Sequence, residues 1–317
     1  MGMSASFGRA TEGGKLRWRL NAGAREEIAF YLFISPWLIG FLAFTLGPMI
    51  ASLFLSFTKY DVITPLRWIG LENYRIAFLT DPLFWKSLKI TTIYVIGSVP
   101  LQMALGLVVA VLMNQALRGI TLFRTIYYVP AVVSGVPLAL LWMAIFNPYG
   151  VVNGFLTRVG IKGPNWLFSE QWVIPAFIIM SLWGIGGTMI IYLAALQGVP
   201  QHLYEAADLD GAGALAKFWT VTVPMISPVI FFNLVMAVIG SFQTFTNALV
   251  MTAGGPNNAS LFYMLHLYRN AFSYFKMGYG CALAWVLALI ILALSMLVIK
   301  SSPAWVYYEG MIGGPQR

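Results

Sequence analysis

The sequence predicts an all-α membrane protein with six membrane-spanning helices, and three observations point that way. Of 317 residues, 59% are hydrophobic and only 9% are charged, against roughly a quarter charged in ordinary globular domains. Residues 281–299 form a run of nineteen without a charge, long enough at about 1.5 Å per residue to cross roughly 30 Å of hydrocarbon. All eleven acidic residues fall outside the interiors of the long apolar stretches.

Taken in order, the apolar stretches place spans at about 28–57, 90–113, 123–146, 173–196, 225–251 and 279–299. Pro36, Pro48, Pro100, Pro130 and Pro137 fall within them. Prolines are tolerated in spans because neighbouring helices or water satisfy the freed carbonyls. Residues 1–27 form a basic tail, 28–300 the membrane domain and 301–317 a second tail. The first apolar run is too long for a signal-peptide core and reads as an uncleaved span. An even number of spans puts both tails on one side. Basic residues divide ten to nine between the two sides, so the positive-inside rule nearly ties. Arg9, Lys15, Arg17, Arg19 and Arg25 before the first span favour a cytoplasmic N-terminus in the inner membrane. Segments 58–88, 147–172 and 252–278 then face outward as loops, with Trp68, Trp85, Trp166 and Trp172 at an interfacial aromatic belt.

Composition also excludes functions. The net charge of +8 is spread over tails and loops, which fits anionic lipid headgroups and not nucleic acid. One cysteine, Cys281, and two histidines, His202 and His266, leave no disulfide and no expected metal site. Ion-coupled carriers commonly keep carboxylates inside the membrane, and none is expected here. No G-x-x-x-x-G-K-[ST] phosphate loop occurs, so the chain is not an enzyme and any ATP and magnesium belong to a partner.

The polar insert 204–228 separates the fourth and fifth apolar stretches and gathers Glu205, Asp208 and Asp210 within six positions. It reads as a short surface helix beginning at Pro200. Ala206 and Ala207 present a small face, Glu205 a charge for a basic partner, and Asp210-Gly211 a turn. On composition alone, a solvated loop held out of the bilayer by its acids fits equally well.

The pattern E-A-A-x-x-D-G-A of residues 205–212, followed by Pro224 and Pro228, resembles the EAA loop of binding-protein-dependent ABC importer permeases. Other segments agree with the carbohydrate branch of that family. Residues 48–57 resemble its P-x-x-x-S-x-x-x-S-F, Gly70-Leu71-Glu72-Asn73-Tyr74 its G-L-E-N-Y, and Asp81-Pro82 with Phe84-Trp85 the segment that follows. Thr252-Ala253-Gly254-Gly255-Pro256 resembles its T-x-G-G-P, and residues 278–282 its G-Y-x-x-A. The resemblance covers about residues 28–300 and is nearest the maltose and glycerol-phosphate permeases. It implies the type I ABC importer transmembrane fold. It also implies a coupling loop at 198–224, in which Tyr204, Glu205, Ala206, Ala207, Asp210, Gly211 and Ala212 meet a cytoplasmic ATPase. The implied partners are two ATPase subunits, a second and different permease, and an extracytoplasmic solute-binding protein. The extra N-terminal spans and periplasmic domain of the maltose permease have no counterpart here.

The family's midplane substrate site uses the spans flanking the EAA loop. Here those offer Trp183, Gly184 and Gly186, then Ser241, Gln243, Thr244 and Asn247. An aromatic face with neutral amides and hydroxyls suits a sugar, though the same residue types also bond helix to helix in membranes. The expected cargo is a mono- or oligosaccharide. Glycerol phosphate or a polyol is the alternative, and an ion-coupled carrier the reading from another class.

Overall fold

The computed structural model of the protein describes residues 22–115, 118–133 and 135–307. Cations Arg9, Lys15, Arg17, Arg19 and Arg317 of the tails lie outside these residues. The chain divides into two compact units, Met1–Ser52 and Leu53–Arg317.

In chain order the helices are α1 (Ala22–Phe41), α2 (Gly47–Ser56), α3 (Glu72–Arg75), α4 (Pro82–Met113), α5 (Ile120–Val132) and α6 (Gly135–Ile145). Then follow α7 (Val151–Arg158), α8 (Val173–Leu182), α9 (Gly186–Gln197), α10 (Gln201–Leu209) and α11 (Ala214–Lys217). The chain continues through α12 (Val223–Phe242), α13 (Thr246–Met251), α14 (Tyr263–Tyr268) and α15 (Met277–Ser301). A two-stranded ribbon pairs β1 (Thr58–Lys59) with β2 (Arg67–Trp68), antiparallel.

Four helical stretches are long and apolar enough to cross a membrane alone: Glu26–Ser56, Pro82–Met113, Ala214–Met251 and Met277–Ala304. Counting each bent pair as one span brings the number to six. The pair α8 and α9 bends by 42° at residues 183–185, where Gly184 interrupts the run; α5 and α6 bend by 104°.

Prolines explain three of the four π-helical turns among the described residues; the fourth, Arg269–Ser273, has no proline two residues after it. Five-residue π-helical turns occupy Leu42–Leu46, Ile76–Thr80 and Phe218–Thr222, and each ends two residues before a proline: Pro48, Pro82 or Pro224. A proline has no N–H for the carbonyl four residues back, and its ring crowds that carbonyl. Widening the turn, so that Gly47 bonds Leu42 and Val223 bonds Phe218, relieves the clash. At Pro82 the chain leaves the helix instead, with Asp81 extended as the residue before proline prefers. The stranded Phe78 carbonyl is met by the Trp85 indole N–H at 2.9 Å.

Three sequence expectations are corrected. The second span begins at Pro82, not near residue 90, because Asp81 caps it and Pro82 occupies its first position. Its first turns therefore carry Lys86 and Lys89, whose long stems can lie along the helix with the amines at its end. The segment 252–278 is not a surface loop: Leu261, Phe262, Tyr263 and Leu265 are fully buried. Such an apolar-aromatic run is too short to cross a bilayer but large enough to fill a core. The Tyr263 N–H bonds Thr91 Oγ1 of α4, and its hydroxyl donates to the Leu283 carbonyl of α15. Trp166 is buried between Phe146 and Trp172, its indole donating to Asn153 Oδ1. It belongs to the core and not to an interfacial belt, whereas Trp68, Trp85 and Trp172 are exposed.

Helix α4 is the central post, packed on α8, α9, α12 and α14. At 32 residues it is about 48 Å long. Its last turns (Val109, Ala110, Met113) meet Leu193 and Leu196 of α9 and Ile226 of α12 in one apolar cluster. Its first turns join the larger cluster with α8, α14 and α15. Small residues let helices approach: a side chain on Gly106 would press on Thr188. Gly186 is tighter still, since a Cβ there would stand 2.2 Å from the Tyr127 carbonyl oxygen of α5.

Candidate functional site

Helix α10 lies between the C-terminal end of α9 and the short α11, on the end of the bundle where α4 finishes. Pro200, extended, sets its start, and no residue in it is buried. Termination follows from Gly211 with φ +73°, a conformation that glycine adopts without steric cost. It lets the Gly211 N–H bond the Asp208 carbonyl and the Ala212 N–H the Ala207 carbonyl, which satisfies the last turn. Glu205, Ala206, Asp208, Leu209 and Asp210 are exposed, Leu209 at 90%. Tyr204 and Ala207 turn inward and are half-buried.

Two contacts that sequence reading missed fix this helix. The Tyr204 hydroxyl pairs with Thr222 Oγ1 at 3.0 Å, and Lys217 Nζ meets Asp208 Oδ1 at 2.7 Å. Both partners lie downstream, in α11 and in the π-helical turn leading to α12. Spacings of nine and eighteen residues across a turn leave no periodic signal. The result is a short helix held to the start of a span, displaying Glu205, which has no ion pair among the described residues, beside small side chains. Such a surface admits a close-fitting cationic groove.

The residues expected to touch cargo sit at two breaks. Trp183 and Gly184 occupy the bend between α8 and α9; Gln243 and Thr244 fill the gap between α12 and α13, flanked by buried Ser241 and by Asn247. Tyr94 of α4 lies buried between the two breaks, close to Ser181 on one side and Thr244 on the other. Trp142 of α6 stands edge-on to Trp183 at 5.9 Å. Trp142 Nε1 and Asn247 Oδ1, a donor and an acceptor, are buried without a hydrogen-bond partner among the described residues. An unpaired buried polar group costs about 1–3 kcal/mol, so both atoms favour any polar ligand that reaches them. Gly186 stands apart, in backbone contact with α5. Tyr94 and Trp142 were missed because no motif surrounds either.

At the opposite end of α4, Asp81 organises a second polar centre. Its Oδ1 accepts from the Leu83 N–H as a helix cap; its Oδ2 accepts from the Tyr279 hydroxyl at 2.7 Å and from His266 Nε2 at 2.9 Å. Burial works against the Asp81 carboxylate, but the Tyr279 hydroxyl, the neighbouring imidazole and the cap hold it below the ordinary carboxylate value. Burial pushes His266 below its ordinary value, with Asp81 opposing and Arg269 reinforcing. A neutral imidazole donating to an ionised carboxylate satisfies both. Asp81-Pro82 and Gly278-Tyr279 had stood out as separate motifs; nothing in the sequence says that they meet.

Comparison with known proteins agrees with this architecture. Residues 102–301 match the family model "Binding-protein-dependent transport system inner membrane component". The chain is 43% identical over 289 residues to the probable ABC transporter permease protein YesP of Bacillus subtilis (strain 168), covering 90% of this chain and 94% of that one. It is 32% identical over 284 residues to the arabinooligosaccharides transport system permease protein AraP of the same organism, covering 87% and 89%. Its fold is similar to a chain in the crystal structure of a bacterial ABC transporter involved in the import of the acidic polysaccharide alginate. The TM-score is 0.78 at 24% identity, over 88% of this chain and 96% of that one. Helices bent at glycine and proline, an exposed EAA helix between two spans and these matches lead to one conclusion: the chain belongs to the binding-protein-dependent inner-membrane permeases of ABC importers.

Proposed function

We propose that this chain is the permease of an ATP-driven importer of a neutral oligosaccharide, with α10 as its coupling helix. The observation that carries the reading is α10 itself: an exposed helix with Glu205 at its surface, tied by Tyr204 and Asp208 to the segment that leads into α12. Displacing α10 pulls on α9 and α12 together, and those helices carry the bend at 183–185 and the gap at 243–245. Two ATPase subunits bind ATP and magnesium and engage α10 through a basic side chain opposite Glu205. A second permease completes the pore, and a soluble binding protein delivers cargo at the far end. Both tails, 1–27 and 301–317, then lie in the cytoplasm with the loop 198–224.

A saccharide cargo is supported by the relatives, AraP among them, and by the residues at the two breaks. Trp183 offers exposed aromatic surface with buried Tyr94 and Trp142 behind it; Ser181, Ser241, Gln243, Thr244 and Asn247 offer neutral hydroxyls and amides. Sugars need that combination, with C–H faces against rings and hydroxyls against uncharged polar groups. None of these residues is cationic, which disfavours glycerol phosphate. Charge reversal tests the coupling role. Glu205→Lys is expected to insert and fold as the wild type does, because Glu205 is exposed, while ATPase stimulation and uptake fall at least tenfold. Normal ATP-driven uptake by that variant would sink the assignment.

A further inference from the structure

A cavity of about 780 Å³ opens at the N-terminal ends of α4 and α15, the end of the bundle remote from α10. Its volume falls in the range of small-ligand sites, roughly 300–1,000 Å³. None of Trp183, Gly184, Gly186, Ser241, Gln243, Thr244 or Asn247 lines it. We infer that this cavity is a second saccharide site, which holds a neutral sugar unit before it reaches the breaks in the membrane helices. The inference rests on the reading of the cargo as an oligosaccharide.

Charge comes first. The wall contains three cations, Lys59, Arg269 and Lys276, and three acids, Asp61, Glu72 and Asp81. Each acid is already engaged locally: Asp61 by Thr64, Glu72 by Arg75 at 3.0 Å, and Asp81 by His266 and Tyr279. Arg269 donates to the Ala253 carbonyl. A wall with equal numbers of cations and acids selects neither an anion nor a cation strongly.

What the wall leaves open matches hydroxyl chemistry. Asn73 and Asn270 are buried, and their side-chain nitrogens donate to backbone carbonyls, Asn73 to Ser56 and Thr58 and Asn270 to His266. Their side-chain oxygens accept no hydrogen bond from the described residues, so two fixed acceptors remain. The hydroxyls of Tyr60 and Tyr274 likewise have no partner among the described residues, and their rings supply faces for sugar C–H groups. Preorganisation is built in. Tyr279, His266 and Asp81 lock one another, and Asn73 ties the floor to the β1 segment. A rigid polar wall spares the ordering cost that a flexible site meets on binding.

The test uses the full chain in lipid nanodiscs, with saturation-transfer NMR to maltotriose as the neutral probe and to trigalacturonate as the acidic one. Maltotriose is expected to show transfer that Tyr274→Ala and Asn270→Ala each reduce at least fivefold, and trigalacturonate to bind at least fivefold more weakly. Tyr274 is 59% exposed, so its variant remains informative even where Asn270→Ala disturbs the fold. Absence of transfer to maltotriose, transfer that survives Tyr274→Ala, or preference for trigalacturonate would each overturn the inference. Oligosaccharide uptake by the assembled importer is measured separately. Uptake without transfer at this cavity ends the second site and leaves the import reading standing; transfer at the cavity without ATP-driven uptake does the reverse.

Discussion

The two ends of α4 solve opposite problems with similar residues. At its C-terminal end, α10 leaves Glu205, Asp208 and Asp210 in water, with Lys217 the only cation paired to any of them among the described residues. At its N-terminal end, Asp81 is largely buried and held by the Leu83 N–H, His266 and the Tyr279 hydroxyl. A carboxylate in water keeps its hydration until a partner replaces it, so it can be part of a contact made and broken in every cycle. A carboxylate inside a wall must have its partners at all times, and it holds helices in place. One end is built for engagement and the other for fixity.

That contrast can be broken by experiment. The largest effect is expected for Asp81→Ala, which removes the cap of α4, about 0.5–2 kcal/mol. It also strips the acceptor from two buried donors, His266 Nε2–H and the Tyr279 hydroxyl, about 1–3 kcal/mol each. Thermal unfolding in detergent should show a midpoint well below wild type; an unchanged midpoint would mean that this end is not the fixed one. A smaller effect should come from acid. His266 titrates below its ordinary value in the folded chain, so the unfolded state binds a proton more readily. Stability should therefore fall as pH drops below about 6.5 toward the lower folded value. His266→Gln should flatten that part of the pH–stability curve, and identical curves would remove the imidazole from the network. The smallest effect is expected for Asp208→Ala. An exposed pair such as Asp208–Lys217 contributes about 0–1 kcal/mol, and a shift in unfolding midpoint as large as that of Asp81→Ala would erase the distinction between the two ends.

How much of this was legible depended on the range of the signal. Apolar runs located the four helices long enough to cross alone and both bent pairs among the described residues, because crossing a membrane demands some twenty apolar residues in sequence. The boundary of α4 was misplaced because Lys86 and Lys89 interrupt the apolar run while Asp81-Pro82, the true start signal, is local and polar. The segment holding Leu261 to Tyr263 was read as a loop for the complementary reason: burial by tertiary packing needs no long run. In the insert, the start at Pro200 and the turn at Gly211 were readable from single residues. The pairings of Tyr204 with Thr222 and of Asp81 with His266 and Tyr279 span eighteen and nearly two hundred residues, distances over which composition and periodicity carry nothing.

The π-helical turn before Pro224 sets the aim of α10. Thr222, which receives the Tyr204 hydroxyl, is the last residue of that turn. A π turn holds about one residue more than an α turn, and each residue of an α-helix advances the phase by about 100°. Without the widening that Pro224 imposes, Thr222 would face another side of the span and Tyr204 would have nothing to hold. The bearing of Glu205 is thus written nineteen positions downstream of it, in an imino acid. A proline here works as a compass setting for a surface helix.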